Sequence, residues 1–521
     1  MKAEQLFDAL TDQSDELVTA AERHVFRRAA PWRRWTAAAA ALALVIGLAG
    51  IATGRIRIPG LGGKSGNGGS ENGYTYMSYA GPVFPLSAEG DPAGVTAERD
   101  LDFDFSPYHT RTETYTDGDG NEQSYERYES RAVVTDAYVL TNETDESRTL
   151  TLLYPVASPL SEIADRGPAI SVNGEPVEAA WSAGDYTGGF AGAWGDENSG
   201  ERLNLDEASS WEDYRALLAD GTYLTSALAP ETPPLDEPVT VYRIYGASAP
   251  EGTPDPATLA FAAPFDPQRT KLLTYGVESF RSSYENGTFL CGFSGFVSPS
   301  PDNPSPEMYL ILLGDDIGPY TLQGYRDGGC DAGEEIGLSA SVERYSSTLG
   351  EMLRLIVNKR VEQDAAAADE YTWYRGTLSE DEMYFYMAAY LARYGSLSDN
   401  PAERYAMSDL EQLWEALRVT RVVYYRFAVT VPAHGSVNVT AVTEKPASVN
   451  FRGKGAYRDQ GYDAVTRLGS TLTFTAQRAT LSHTEEIELT GNSFGFDLKA
   501  GVTAVTLDPA QEHYWLQVRK K

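Results

Sequence analysis

Residues 132–156, AVVTDAYVLTNETDESRTLTLLYPV, decide the fold of this chain. Ala132 to Leu140 and Thr149 to Val156 are rich in β-branched and aromatic residues, with polar residues between them, and each reads as a strand. The same signals recur on both sides. Leu101 to Phe105 forms a strand upstream, and Ile170 to Val177 folds around the turn signal Asn173-Gly174. Val239 to Tyr245, Thr270 to Tyr275, Met308 to Leu313 and Leu338 to Val342 follow. Residues 75–345 therefore read as a β-rich domain. One helix interrupts them, with Ser210 as N-cap, Asp213 at N3, Tyr214, Leu217 and Leu218 on its apolar face, and Gly221 as its stop.

The period then changes. Thr348 with Glu351, Ser379 with Glu382, and Ser408 with Glu411 have the spacing of capping boxes, and each precedes apolar residues at helical intervals. Residues 346–420 read as a helical block. Alternation returns at Arg421, with Val423, Tyr425 and Phe427 on one face. Strands at Ser436 to Val442, Thr471 to Thr475, Glu486 to Leu489 and Tyr514 to Val518 complete the region 421–521. That spacing suits a second sandwich or strands that complete the first.

Upstream, Trp35 to Gly54 is a run of twenty uncharged residues directly behind Arg27, Arg28, Arg33 and Arg34. A helix of that length spans roughly 30 Å, the hydrocarbon thickness of a bilayer, so 35–54 reads as a transmembrane helix. Residues 21–34 hold five arginines, against Arg55, Arg57 and Lys64 after the run, which places the N-terminus in the cytoplasm and the bulk of the chain outside the plasma membrane. A cleaved signal with Gly50 and Ala52 near its cleavage site is the competing reading, although the 34 residues ahead of the run are long for a basic leader. Within 1–34, Leu6 and Leu10, then Leu17, Ala21 and Val25, recur at helical spacing and read as two short amphipathic helices. They suit membrane-surface packing or a docking face for a cytoplasmic protein. Residues 55–74 are a glycine-rich linker with a typical span of roughly 25 Å.

Composition narrows the chemistry. Residues 1–34 are balanced and 55–64 carry +3, so a net charge of −33 leaves about −36 beyond residue 64, an acidic surface that repels nucleic acid and anionic lipid. The two cysteines, Cys291 and Cys330, form no zinc-type cluster and are compatible with a disulfide or with two free thiols; the five histidines are scattered. Asp117, Asp119 and Asn121 match the opening of a calcium loop, but Glu122 stands where the turn glycine belongs and Tyr128 where a bidentate carboxylate belongs, so a hairpin is the better reading. Gly491, Ser493 and Gly495 fit G-x-S-x-G without the helix that must follow; Phe496 to Leu498 and Gly501 to Leu507 read as more strand. Tyr371, Trp373, Tyr374, Tyr384, Tyr386, Tyr390 and Tyr394 suit either a sugar-stacking surface or, at i, i+4 and i+8 for the last three tyrosines, a core stripe. Glu485 and Glu486 read as solvated surface. No catalytic, cofactor or metal residue is expected.

Residues 1–54, from Met1-Lys2-Ala3-Glu4-Gln5-Leu6 through Pro31-Trp32-Arg33-Arg34-Trp35 into the alanine-rich run, resemble the start of uncharacterised single-pass membrane proteins of Gram-positive anaerobes, often labelled anti-sigma-factor-like. The segment from Val134 through Thr141-Asn142-Glu143-Thr144 to Pro155 is similar to the paired strands that open their outer domains. The resemblance implies a short inner helical segment and a β-rich outer domain; the zinc-binding motif of zinc anti-sigma domains is absent from 1–34. The expectation is a membrane-anchored sensing or regulatory protein with an unknown outer ligand, not an enzyme. A surface module for cell-wall or glycan ligands is the alternative.

Overall fold

The computed structural model describes residues 79–521 except 109, 117–121, 129–130, 164–166, 188–210, 231–234, 249–256, 266–268, 278, 286–287, 298–306, 327–332, 367–377, 395–409 and 450–459. Residues 1–34, 35–54 and 55–74, expected from sequence as an inner segment, a span and a linker, lie outside the described residues; among the described residues no helix is long and apolar enough to cross a membrane. The described chain is mainly β.

Strands β1 (Ser87–Glu89) and β2 (Val95–Asp104) come first, followed by the hairpin β3 (Thr110–Thr116) and β4 (Glu122–Tyr128). Then come β5 (Arg131–Asn142), β6 (Arg148–Pro159), β7 (Ala169–Val172), β8 (Glu175–Pro176) and β9 (Ala180–Tyr186). Helices α1 (Trp211–Ala219) and α2 (Thr222–Leu228) lead to β10 (Pro238–Ser248), β11 (Ala257–Phe265), β12 (Thr270–Tyr275), β13 (Ser279–Glu285) and β14 (Thr288–Val297). Strands β15 (Met308–Gly314), β16 (Thr321–Tyr325), β17 (Glu335–Ile336) and β18 (Ser339–Thr348) precede helices α3 (Leu349–Ala366), α4 (Glu380–Tyr394) and α5 (Glu415–Arg418). The chain ends with β19 (Thr420–Val431), β20 (Ser436–Pro446), β21 (Ser448–Val449), β22 (Gln460–Val465), β23 (Thr473–Ser482), β24 (Ile487–Asn492), β25 (Ala504–Thr506) and β26 (His513–Lys520).

A seven-stranded sheet, β25-β23-β2-β5-β20-β7-β8, is the backing for two sandwiches. Its long strands change partner half-way along. Val95 and Ala97 of β2, Tyr138 and Leu140 of β5, and Val437 and Val439 of β20 face the sheet β1-β6-β19-β9, in a core with Leu152 and Phe427. Leu101, Phe103, Ala132 and Val134 instead face the sheet β21-β22-β26-β24, in a core with Tyr462, Ile487, Leu516 and Val518. The region from residue 421 is thus no sandwich of its own. β19 lies between β6 and β9, and β20 pairs with β5, so these late strands complete sheets begun before residue 190.

The middle of the chain makes a further pair of sheets, β12-β15-β10-β18 and β13-β14-β11-β16-β17, around Tyr242, Ile244, Phe261, Leu310 and Leu312. The far face of the first, with Val241, Leu273, Tyr309 and Ile311, packs into the same core as Leu353, Ile356, Met387 and Leu391 of α3 and α4 and Val423 and Tyr425 of β19. The helical block therefore fills the space between sheets. Buried on both faces, β15 carries the unbroken apolar run Met308 to Leu313.

Local signals hold at many of these junctions. Asn173 and Gly174 both adopt left-handed conformations, φ 52° and 85°, in the two-residue turn between β7 and β8. Thr348 and Glu351 exchange the two hydrogen bonds of a capping box, 3.1 and 3.2 Å, as do Ser379 and Glu382, 2.8 and 3.2 Å. Two strand assignments need correcting. Phe496 to Leu498 is a loop in which Asp497 makes a single bridge to Val502, with the amides of Lys499 and Ala500 bonded to the Asp497 carboxylate. β23 begins at Thr473, because the Ser470 and Thr471 hydroxyls are bonded to the backbone of residues 86–88.

Candidate functional site

Strict alternation on β2, β5, β20 and β23 sends apolar residues inward and leaves the other face of the seven-stranded sheet open to solvent. On that face β2 presents Glu98, Asp100, Asp102 and Asp104, while β5 and β20 present Val139 and Val442, 37% and 36% exposed, among Thr135, Ala137, Asn438, Thr440 and Glu444. A groove of about 520 Å³ lies over β25, β23, β2 and β5. Asp100, Asp102, Arg478, Thr135, Thr480 and Thr506 are the polar residues of its lining.

The carboxylates differ in setting. Asp100 is 4.0 Å from Arg478 and strongly exposed. Burial raises the pKa of Asp102 above the usual carboxylate value, against the 2.8 Å hydrogen bond donated by Ser482. Burial acts the same way on Asp104, but hydrogen bonds from the Ser106 amide, 2.7 Å, and His483, 2.7 Å, outweigh it and lower its pKa. The groove therefore offers one solvated carboxylate, one that protonates more readily, a guanidinium and three threonines. This suits hydrogen bonding to a polar ligand.

Two other polar clusters are interior. Arg99 and Asp136, both fully buried, form a bidentate pair at 2.8 and 2.8 Å where the seven-stranded sheet changes partner. Arg99 also donates to the carbonyls of Val465 and Phe84, and Tyr138 donates to Asp136 at 2.6 Å. Asp463 on β22 accepts from Tyr79 at 2.6 Å and lies 2.8 Å from His513, whose ring stacks on Trp211 at 3.9 Å. Buried Lys445 donates to the carbonyl of Ala80. Burial depresses its pKa to about 8, partly offset by Asp463. Every charged group in the first cluster is satisfied by hydrogen bonds, which marks it as structural.

The candidates from sequence are dispersed. Asp117, Asp119 and Asn121 lie outside the described residues, between β3 and β4, whose paired backbones make the expected hairpin. Ser493 sits between β24 and the loop before β25; its hydroxyl accepts from the Trp515 amide at 2.9 Å, and no helix follows. Tyr386 and Tyr390 face the core, Tyr386 stacking on Trp181, whereas Tyr371, Trp373 and Tyr374 lie outside the described residues. Glu485 and Glu486 are exposed. Cys330 also lies outside the described residues. Among the described residues no group of His, Cys, Asp and Glu side chains is arranged to hold a metal ion.

Sequence reasoning missed both the groove and the Arg99–Asp136 pair. The pair had a signal: Arg99 and Asp136 each occupy an inward position between apolar residues of an alternating strand. The groove had none, because it is assembled from β2, β5, β23 and β25 across some 400 residues of chain.

No family model matches the chain, and no curated protein matches it. The Fcho1 Mu homology domain of Danio Rerio, solved with a bound Eps15 peptide, is similar over 52% of this chain and 96% of that one, with a TM-score of 0.11 and 10% identity. A likeness so slight carries no argument.

Proposed function

We propose that this protein is a membrane-anchored sensing or regulatory protein of the anti-sigma-like layout, with residues 1–34 in the cytoplasm, residues 35–54 in the plasma membrane and the β-rich region outside as its binding part. The groove on the open face of the seven-stranded sheet carries the reading for that outer part. The sheets β1-β6-β19-β9 and β12-β15-β10-β18 have both faces in packed cores, whereas this face is exposed and carries acidic, basic and threonine side chains around the groove. The uncharged run with its flanking arginines supports the anchoring. Protease added to intact cells tests the topology: it should remove the acidic region and leave residues 1–34 protected. A mature N-terminus near Thr53 would replace the anchor with a cleaved signal.

The hydroxyls and carboxylates of the groove also favour a second reading, a surface module for cell-wall or glycan ligands in which 1–34 only anchors. Ala137→Arg places a long side chain in the groove floor. A glycan array probed with the full chain and with this variant should give a signal that the variant abolishes. Equal signals from both would remove the groove from consideration.

A further inference from the structure

The first described residues, Tyr79 to Glu89, form a strap that enters both sandwich cores and a third core packed by helices α1 and α2. Tyr79 and Phe84 pack with Trp211, Tyr214 and Trp515; Val83 packs with Phe103 and Leu516; Leu86 and Ala88 pack with Tyr138 and Leu152. Residues 81–88 are buried without a break. Gly81 allows the tight passage: its φ is 73°, and a Cβ there would lie 2.3 Å from Ala157.

Little of this strap is paired as a strand, because β1 covers only Ser87 to Glu89. Its polar groups are instead held singly, in chain order. Tyr79 donates to Asp463, the Ala80 amide donates to Ser448 at 3.0 Å, and the Ala80 carbonyl accepts from Lys445 at 2.6 Å. Val83 bridges Asp463 and Val465 through its backbone. Phe84 O accepts from Arg99, Leu86 N donates to Tyr138, and Ala88 exchanges bonds with Thr471. Removing the strap strips partners from Asp463, Lys445 and Arg99, which are buried charges, and leaves an apolar gap in each core.

We propose that the strap is a tension-sensitive latch: pulling on the chain from its N-terminal side peels Tyr79 to Glu89 away before the sheets separate. A pull from that side meets the contacts in series, Tyr79 first. The long ladders of β6 with β19, β2 with β5, and β5 with β20 share load over many paired residues at once, whereas the strap's contacts yield one at a time. Release frees eleven residues, at most about 36–40 Å of extended chain. The inference rests on the anchored reading, because the membrane is what would supply tension on this side.

The test is optical-tweezer stretching of the full chain held at its two termini. A first step of no more than about 40 Å, ahead of the main unfolding event, is expected. In a Cys291→Ser/Cys330→Ser background, Ala80→Cys with Ser448→Cys should abolish that step when oxidised and restore it when reduced. Tyr79→Phe, which removes one hydrogen bond, should lower the force of the step if the clamp variant does not fold. A single unfolding event with no early step, or an early step that persists in the oxidised clamp, overturns the latch. Protease protection on intact cells reports the anchoring independently, so a failed anchor and a failed latch are told apart.

Discussion

Arg99 and Asp136 sit where two cores meet, and the energetics of that position are asymmetric. Both charges are dehydrated, so their pairing offsets a large solvation loss, and removing one partner leaves the other buried without a counter-charge. Asp136→Asn should therefore lose about 3–5 kcal/mol of stability in urea denaturation. Arg99→Met with Asp136→Leu should lose clearly less than the sum of the two single changes, because no charge is stranded. Lys445 gives a prediction in pH. Its folded pKa of about 8 lies below the ordinary 10.5, so the unfolded chain binds more protons between those values. Stability should rise with pH across that window and be flat with respect to this group below pH 8, where both states are protonated. Lys445→Met should flatten the rise and stabilise the protein at neutral pH by about 1–2 kcal/mol. That is less than the roughly 3 kcal/mol equivalent of the shift, since the Ala80 carbonyl loses its donor. Denaturation midpoints from pH 7 to 10.5 check both statements; a rise of equal slope in the variant would assign it to other groups.

Elements were legible wherever one short stretch held the whole signal. The boxes Thr348–Glu351 and Ser379–Glu382 form because cap and acceptor are three residues apart, and their helices follow from spacing alone. Ser379→Ala removes the acceptor for the Glu382 amide at the start of α4. It should cost about 0.5–2 kcal/mol, read as a lowered melting temperature with unchanged strand content. Asn173-Gly174 was readable for the same reason, since the type I′ hairpin turn that Asn-Gly favours has left-handed conformations at both positions. What could not be read was partnership. β20 alternates whether it pairs with β5 or starts a new sandwich, so the sequence left both open. Phe496 to Leu498 looked like strand because Phe496 and Leu498 alternate around Asp497, but the Asp497 side chain binds the following amides and turns the chain. The groove was hidden for the reason that hid the pairing: its walls are neighbours only after the sheet has formed.

At the scale of the whole described region, shared elements govern cooperativity. The long strands β2 and β5 of the seven-stranded sheet give one end of their inner face to each of two cores, so neither sandwich can open without stripping a face from the other. The helices α3 and α4 extend that coupling, since their core includes both β19 and the outer face of the β12-β15-β10-β18 sheet. A chain divided by sequence at residues 345 and 420 would melt in stages if each part held its own core. Instead, the packing predicts one main transition for the β-rich region. Far-ultraviolet circular dichroism and tryptophan fluorescence, the latter in one variant that keeps only Trp181, in the helical core, and another that keeps only Trp211 and Trp515, over the C-terminal sheet, should give superimposable melting curves. Two resolved transitions, with Trp181 and the Trp211–Trp515 pair responding at different temperatures, would show that the shared sheet does not bind the two cores into one unit.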